Sequence, residues 1–292
     1  MLKKINLLYQ FSRPHTIIGS FISITTLYLI VNHFPKSGLH WLQYLTLIIS
    51  CLCCNIFITG LNQIIDVDID KISKPFLPIA AGQLSITNAK KIIFTALGIC
   101  MVTSAALSLY LFALILFITI IGIMYSVPPI RLKNHHLPAA LSITIVRGIL
   151  VNMGIGLWLQ YFYFSNLTIP IVLWPLTIFV VAFSIAISWL KDIHDVEGDT
   201  AFEVKTLAIL YSPKTAFIFS NILVAAAYVF CIAFTYKQFK FLCIAHIILL
   251  AFYSLHVFTS SLKTSATIHK FYMGFWVFFF AEYILFAINV LV

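Results

Sequence analysis

The chain has 292 residues, of which 62% are hydrophobic and only 9% charged, with a mean hydropathy of +1.04 and a net charge of +9. A soluble domain is nearer half apolar with about a quarter of its residues charged, so an integral membrane protein is expected. The basic excess has no soluble domain to sit on, which argues against a nucleic-acid partner.

A spanning helix needs roughly 20 apolar residues, and the chain reads as nine such segments. In order they fall at 14–31, 41–60, 91–109, 111–127, 138–160, 168–188, 214–236, 241–261 and 271–291. Ahead of them, "MLKKINLLYQFSRPH" has no small-residue cleavage site and no adequate apolar core, so neither a signal nor a transit peptide is expected. The third and fourth spans form one apolar run from Ile92 to Ile130, with Ser108 and Tyr110 hinting at a turn. Charge decides between one span and two. With nine spans and the N-terminus inside, every basic residue except Lys36, Lys237, Lys240 and the intraspan Arg147 falls on the inner side, as the positive-inside rule requires. The C-terminus is then outside. The six cysteines lack paired zinc-site spacing, with Cys51, Cys53 and Cys54 inside one span, and are read as small apolar packers.

Acidic residues are scarce and clustered. Asp66, Asp68 and Asp70 follow the second span, and Asp192, Asp195, Glu197, Asp199 and Glu203 follow the sixth. Only Glu282 stands apart, in the ninth. Asn62, Asp66 and Asp70 recur every four residues and would share one stripe of a helix, with Asp68 pointing away. Asp192, Asp195 and Asp199, spaced three and four, would share another. Like charges at such spacing destabilise a helix by about 0.2–0.5 kcal/mol per pair, and more where the dielectric is low. Two such stripes at the membrane surface therefore ask for a cation. Carboxylates and an amide oxygen without thiols favour Mg²⁺ over Zn²⁺. Because Mg²⁺ completes its shell with substrate phosphates, a diphosphate clamped from both sides is the expected ligand.

Basic residues flank both stripes: Lys71 and Lys74, then Arg131 and Lys133 in "YSVPPIRLK", then Lys191 and Lys205. Each can steady a departing diphosphate or serve as a positive-inside anchor. Arg147 lies within a span and is expected to face a cavity. Asn152, five residues on, either orients a substrate or packs. His15, His135 and His136 are expected in loops or at the interface.

Asn62-x-x-x-Asp66-x-x-x-Asp70 with a later Asp195-x-x-x-Asp199, nine spans and the "YSVPPIRLK" loop resembles the UbiA superfamily of intramembrane aromatic prenyltransferases over nearly the whole chain. "FSRPHTIIGS", "GLNQIIDVDIDKISKPFLPIAAG" and "KDIHDVEGD" are similar to its homogentisate branch, and Lys74 before Pro75 fits that branch rather than the ubiquinone one. Two positions depart from the pattern: His194 stands where proline is expected, and "TAFEVKTL" lacks the glycine before Lys-Thr-Leu.

The resemblance implies an all-α multi-pass fold of nine transmembrane helices around a central cavity, a single domain over 1–292. The cavity would be capped on the cytoplasmic side and open sideways to lipid. Asn62, Asp66, Asp70, Asp195 and Asp199 would bind two Mg²⁺ bridging a prenyl diphosphate. Asp192 would be a further ligand, or a base near the acceptor hydroxyl. Lys74, Tyr125, Arg131, Lys133, Lys191 and Lys205 would touch phosphate or steady the loops. The implied reaction is prenyl transfer to an aromatic acceptor, homogentisate, with loss of CO₂. A terpene cyclase on the same fold would share every metal ligand. A secondary transporter would place charges mid-membrane, with broken helices and internal repeats; here the acids sit at span ends.

Overall fold

The computed structural model describes residues 2–32 and 40–291, so Lys36 of the expected first outer loop lies outside the described residues. Lipid offers no hydrogen-bond partner to an open backbone, and the described chain is helical, without a strand. After a short α1 (Leu2–Phe11) come α2 (Pro14–Asn32), α3 (Trp41–Ile65), the short α4 (Val67–Ser73), α5 (Ile86–Leu107) and α6 (Leu109–Ser126). The fifth span is composite: α7 (His136–Ile143), a wider π-helical stretch (Thr144–Ile155) and α8 (Gly156–Phe164). Then follow α9 (Leu173–His194), the short α10 (Val196–Ala201) and α11 (Leu207–Leu210), α12 (Pro213–Thr235), α13 (Lys240–Phe258) and α14 (Ser265–Asn289). Among the described residues nine helical segments are long and apolar enough to cross a membrane.

The spans match the sequence reading in number and order, and differ at their ends. The second continues to Ile65 rather than 60, the sixth covers Leu173–His194 rather than 168–188, and the third and ninth begin earlier, at Ile86 and Ser265. Hydropathy registers only the apolar middle, whereas these ends are polar turns held by caps. Ser85 accepts from the Asn88 N–H at the start of α5, and Thr264 and Thr267 form a reciprocal capping box on α14. Ser108 marks the break in the long apolar run: its backbone is extended and its side chain accepts from the Leu111 N–H, opening α6.

Six segments close a ring in which each touches the next: α2, α3, α6, the π-helical stretch, α9 and α14. α5 backs α3 and α6, and α12 and α13 stand behind α9 and α14. α9 is the axis of the bundle, with 72% of its apolar window buried against 22–44% for the other spans. Between helices in lipid, dispersion and polar contacts replace the hydrophobic drive. Here Phe183 stacks on Phe275 with ring centroids 4.3 Å apart. Hydroxyls of Ser220 and Thr26 donate to the Ala186 and Tyr283 carbonyls at 3.2 and 3.0 Å.

Candidate active site

The two acidic motifs are built alike. Each begins on a span, breaks at one aspartate and resumes as a short helix. Asp66 (φ −97°, ψ 13°) separates α3 from α4, and Asp195 (φ −99°, ψ 3°) separates α9 from α10. The continuous stripes expected from spacing are therefore interrupted at their middle carboxylates. Asn62, Asp66 and Asp70 nevertheless line one cavity, as do Asp192, Asp195 and Asp199. α4 and α10 lie against each other over its end. Gly198 permits that contact, because a Cβ there would run into the Ser73 hydroxyl.

The cavity has a volume of about 330 Å³ and is walled by the six-segment ring. That lies within the range of small-molecule sites, roughly 300–1,000 Å³. Asp66, Asp70, Asp192, Asp195 and Asp199 share its polar end with Arg13, Lys74, Lys133 and Lys191, while Arg147 lies deeper along the apolar wall. Lys74 crosses from the first motif to the second, its Nζ 2.5 Å from Asp195 Oδ2. Asp66 pairs with Lys133, and with Arg131 at 3.0 Å, while accepting from Asn62 Nδ2 at 2.7 Å. Arg13 donates to Asn62 Oδ1 at 3.4 Å. Lys191 donates to the Tyr125 hydroxyl at 2.7 Å and sits 3.4 Å from Asp192. Asp68 turns outward to an exposed pair with Lys71, as its spacing predicted.

Burial sets the electrostatics. It pushes the Asp70 carboxyl above its ordinary range, with the Asp66 and Asp195 charges acting in the same direction against Arg13 and Lys74. Asp199 is raised to about 7 by burial and by the Asp195 and Asp192 carboxylates. For Asp195 burial is the largest influence and raises it, but the Lys74 ammonium, its hydrogen bond and Lys191 together outweigh burial and hold the group low. Lys133 is lowered by burial despite the Asp66 carboxylate. Asp70 Oδ2 and Asp195 Oδ1 are buried without a hydrogen-bond partner. Crowded oxygen donors, two of them orphaned, form a set suited to hard divalent cations.

Not every expected residue reaches the cavity. Arg131 is off the wall and acts through Asp66. Asn152 is fully buried elsewhere: it accepts from the Tyr283 hydroxyl at 2.8 Å and donates to the Gly148 carbonyl at 3.2 Å, bracing the π-helical stretch against α14. Lys205 is exposed, its backbone paired with Asn134 and His136. Two residues are better placed than the sequence implied. Arg13 and His15 both line the cavity, because the chain turns at Arg13 (φ 53°) between α1 and α2 and carries His15 inward against Trp276, with ring centroids 5.0 Å apart. A basic residue just before "PHT" was the available signal. Arg147 faces the cavity as expected, its guanidinium 5.0 Å from the Trp276 ring centroid and 5.8 Å from that of Phe279. No carboxylate among the described residues pairs with it.

The model of the UbiA prenyltransferase family matches residues 22–281. A homogentisate phytyltransferase of Synechocystis sp. is 36% identical, covering 96% of this chain and 94% of its own length. The chloroplastic homogentisate solanesyltransferase of Arabidopsis thaliana is 34% identical, over 96% of this chain and 76% of its own. Among solved structures, a UbiA homolog from Archaeoglobus fulgidus bound to GPP and Mg²⁺ superposes with a TM-score of 0.64 at 16% identity, covering 98% of this chain and all of that one.

Proposed function

The chain belongs to the UbiA prenyltransferase family, and from that we propose a Mg²⁺-dependent transfer of a prenyl group from an isoprenoid diphosphate to homogentisate. One observation carries the reading: two carboxylate motifs face each other across one cavity, bridged by Lys74 and Asp195, with an apolar wall behind them. The relatives' activities support the acceptor. Residues 1–292 are taken as a single integral-membrane domain.

Asn62, Asp66, Asp70, Asp195 and Asp199 would hold the metal. When bound, Mg²⁺ neutralises the charge that builds on the departing diphosphate. Lys74, Lys133 and Lys191 are in reach of phosphate oxygens once they leave their carboxylates, with Arg131 steadying Asp66 and Tyr125 aiming Lys191. Trp276 and Phe279 line the same wall, where their ring faces hold the Arg147 guanidinium in place by about 0.5–2 kcal/mol each. The apolar part of the ring would exclude water that could quench an allylic cation. Arg147, charged and without a carboxylate partner, suits the acceptor's carboxylate, placing the phenol ring toward the donor. Asp192 lines the same space and can take the phenolic proton.

Purified protein offered geranylgeranyl or phytyl diphosphate is expected to yield a decarboxylated prenyl-quinol with homogentisate, and nothing comparable with 4-hydroxybenzoate, a dihydroxynaphthoate or no acceptor. Product analysis decides. A cyclic hydrocarbon formed without acceptor would make the protein a cyclase, and preference for another phenol would overturn the acceptor alone.

The proposed setting is the cell's inner membrane, with the polar end of the cavity toward the cytoplasm, since the basic loops flank it. Lys71, Lys205 and Lys237 are all exposed. Single cysteines at these positions in a Cys-depleted protein should divide under labelling of intact cells, with only the one at 237 reached by an impermeant reagent. Labelling at 71 from outside would reverse the topology.

A further inference from the structure

Glu282, alone in the sequence, gains neighbours from two other helices. His246 Nε2 lies 2.9 Å from Glu282 Oε1. With Cys231, the three side chains bring a sulfur, a nitrogen and an oxygen within 4.8 Å of one another. α12, α13 and α14 supply one residue each, and all three are fully buried. None lines the main cavity. Cys231 is four residues before the end of α12, His246 six after the start of α13, and Glu282 seven before the end of α14. At 1.5 Å per residue this places them at a common depth, about 6–11 Å in from those ends. The α12–α13 connection lies at the face opposite the acidic motifs, so the cluster occupies the other half of the membrane.

The cluster is not self-sufficient. Among the described residues, His246 Nδ1, Glu282 Oε2 and the Tyr228 hydroxyl are all buried without a partner. Tyr228 precedes Cys231 by three residues, on the same face of α12, and its ring centroid is 6.4 Å from that of His246. Unsatisfied polar atoms this deep in a membrane protein are costly, and ionisable ones there mark sites.

We propose that Cys231, His246 and Glu282 form a second metal site, selective for a zinc-like divalent cation and separate from the catalytic cavity. Thiolate and imidazole are poor ligands for Mg²⁺ and good ones for Zn²⁺. One thiolate and one carboxylate cancel the charge of the ion, so the filled site is neutral in low dielectric. Zinc bonds of about 2.0–2.3 Å put tetrahedral ligand atoms roughly 3.3–3.8 Å apart, so the His246–Glu282 pair would open slightly from 2.9 Å and the three ligand atoms, now within 4.8 Å of one another, would settle around the ion by side-chain rotation. The Tyr228 hydroxyl or a water would complete the shell. The ion would brace the three helices that stand behind and beside α9.

Metal analysis of protein purified in mild detergent, from zinc-supplemented cells and after an EDTA wash, tests this. Stoichiometric zinc is expected in the wild type and in Asp70→Asn, and loss of it in Cys231→Ser and His246→Gln. Cobalt-loaded wild type should show thiolate-to-cobalt charge-transfer absorption that Cys231→Ser lacks. Should His246→Gln fail to fold, the wild-type metal content and the milder Cys231→Ser still decide. Wild type holding no more zinc than Cys231→Ser, or a cobalt spectrum indifferent to that substitution, would overturn the proposal.

Discussion

Replacing Asp70 with asparagine is expected to lower kcat/KM for the prenyl donor by about 10²–10³-fold, the usual loss when one electrostatic stabiliser is removed, while the melting temperature holds or rises. Asp70 is 4% exposed and, among the described residues, makes no ion pair and leaves Oδ2 without a partner. Burial raises its pKa, and the sign follows directly: a carboxyl whose folded pKa lies above its unfolded one loses stability as pH climbs past the unfolded value. Near neutrality the ionised form opposes folding, and the isosteric amide removes that opposition. Asp195→Asn should lose as much activity but also destabilise by about 3 kcal/mol, the low end for a broken buried pair, since Lys74 keeps a quarter of its side chain exposed. Asp66→Asn, which strands Lys133 and Arg131, should resemble Asp195→Asn. Donor kinetics and detergent melting curves on the three variants check this together. Activity within a few-fold of wild type in Asp70→Asn or Asp195→Asn would remove that motif from the chemistry.

Arg147→Leu is expected to lower kcat/KM for homogentisate roughly 10- to 150-fold, which corresponds to about 1.5–3 kcal/mol for a hydrogen bond to a charged group. On a hydroquinone lacking the carboxylate, wild type and variant should lie within a few-fold of each other. The bundle should tolerate the change, because no carboxylate depends on Arg147 and its lost contacts are the faces of Trp276 and Phe279. The two-substrate comparison is what separates roles. Equal loss on both acceptors would assign Arg147 to the donor or to packing.

The nine spans and the acidic motifs were legible because each is written locally, in about 20 apolar residues or in a spacing of four. The breaks at Asp66 and Asp195 were not, since the residues on either side of each break are themselves helical and spacing alone favours continuity. Asn152 was left open between orienting a substrate and packing for a related reason. The structure takes the packing alternative, because its partner is the hydroxyl of Tyr283, a residue far off in sequence. His15 was underrated because its setting depends on the turn at Arg13, and Glu282 because its partner lies on another helix. Residues joined only by tertiary contact leave no periodic trace.

The Lys74–Asp195 and Lys133–Asp66 pairs also impose a linkage on substrate binding. Asp66 and one oxygen of Asp195 are engaged by ammonium groups, and under the proposed function a bound diphosphate would draw those ammonium groups away and free the carboxylates for a divalent cation. Cation and donor each therefore relieve a cost the other would meet alone, and by reciprocity each tightens the other's binding by the same factor. Under the proposed function, such a site would hold divalent ions more tightly with its substrate than without it. Its apparent affinity for metal would then rise with the supply of the diphosphate donor.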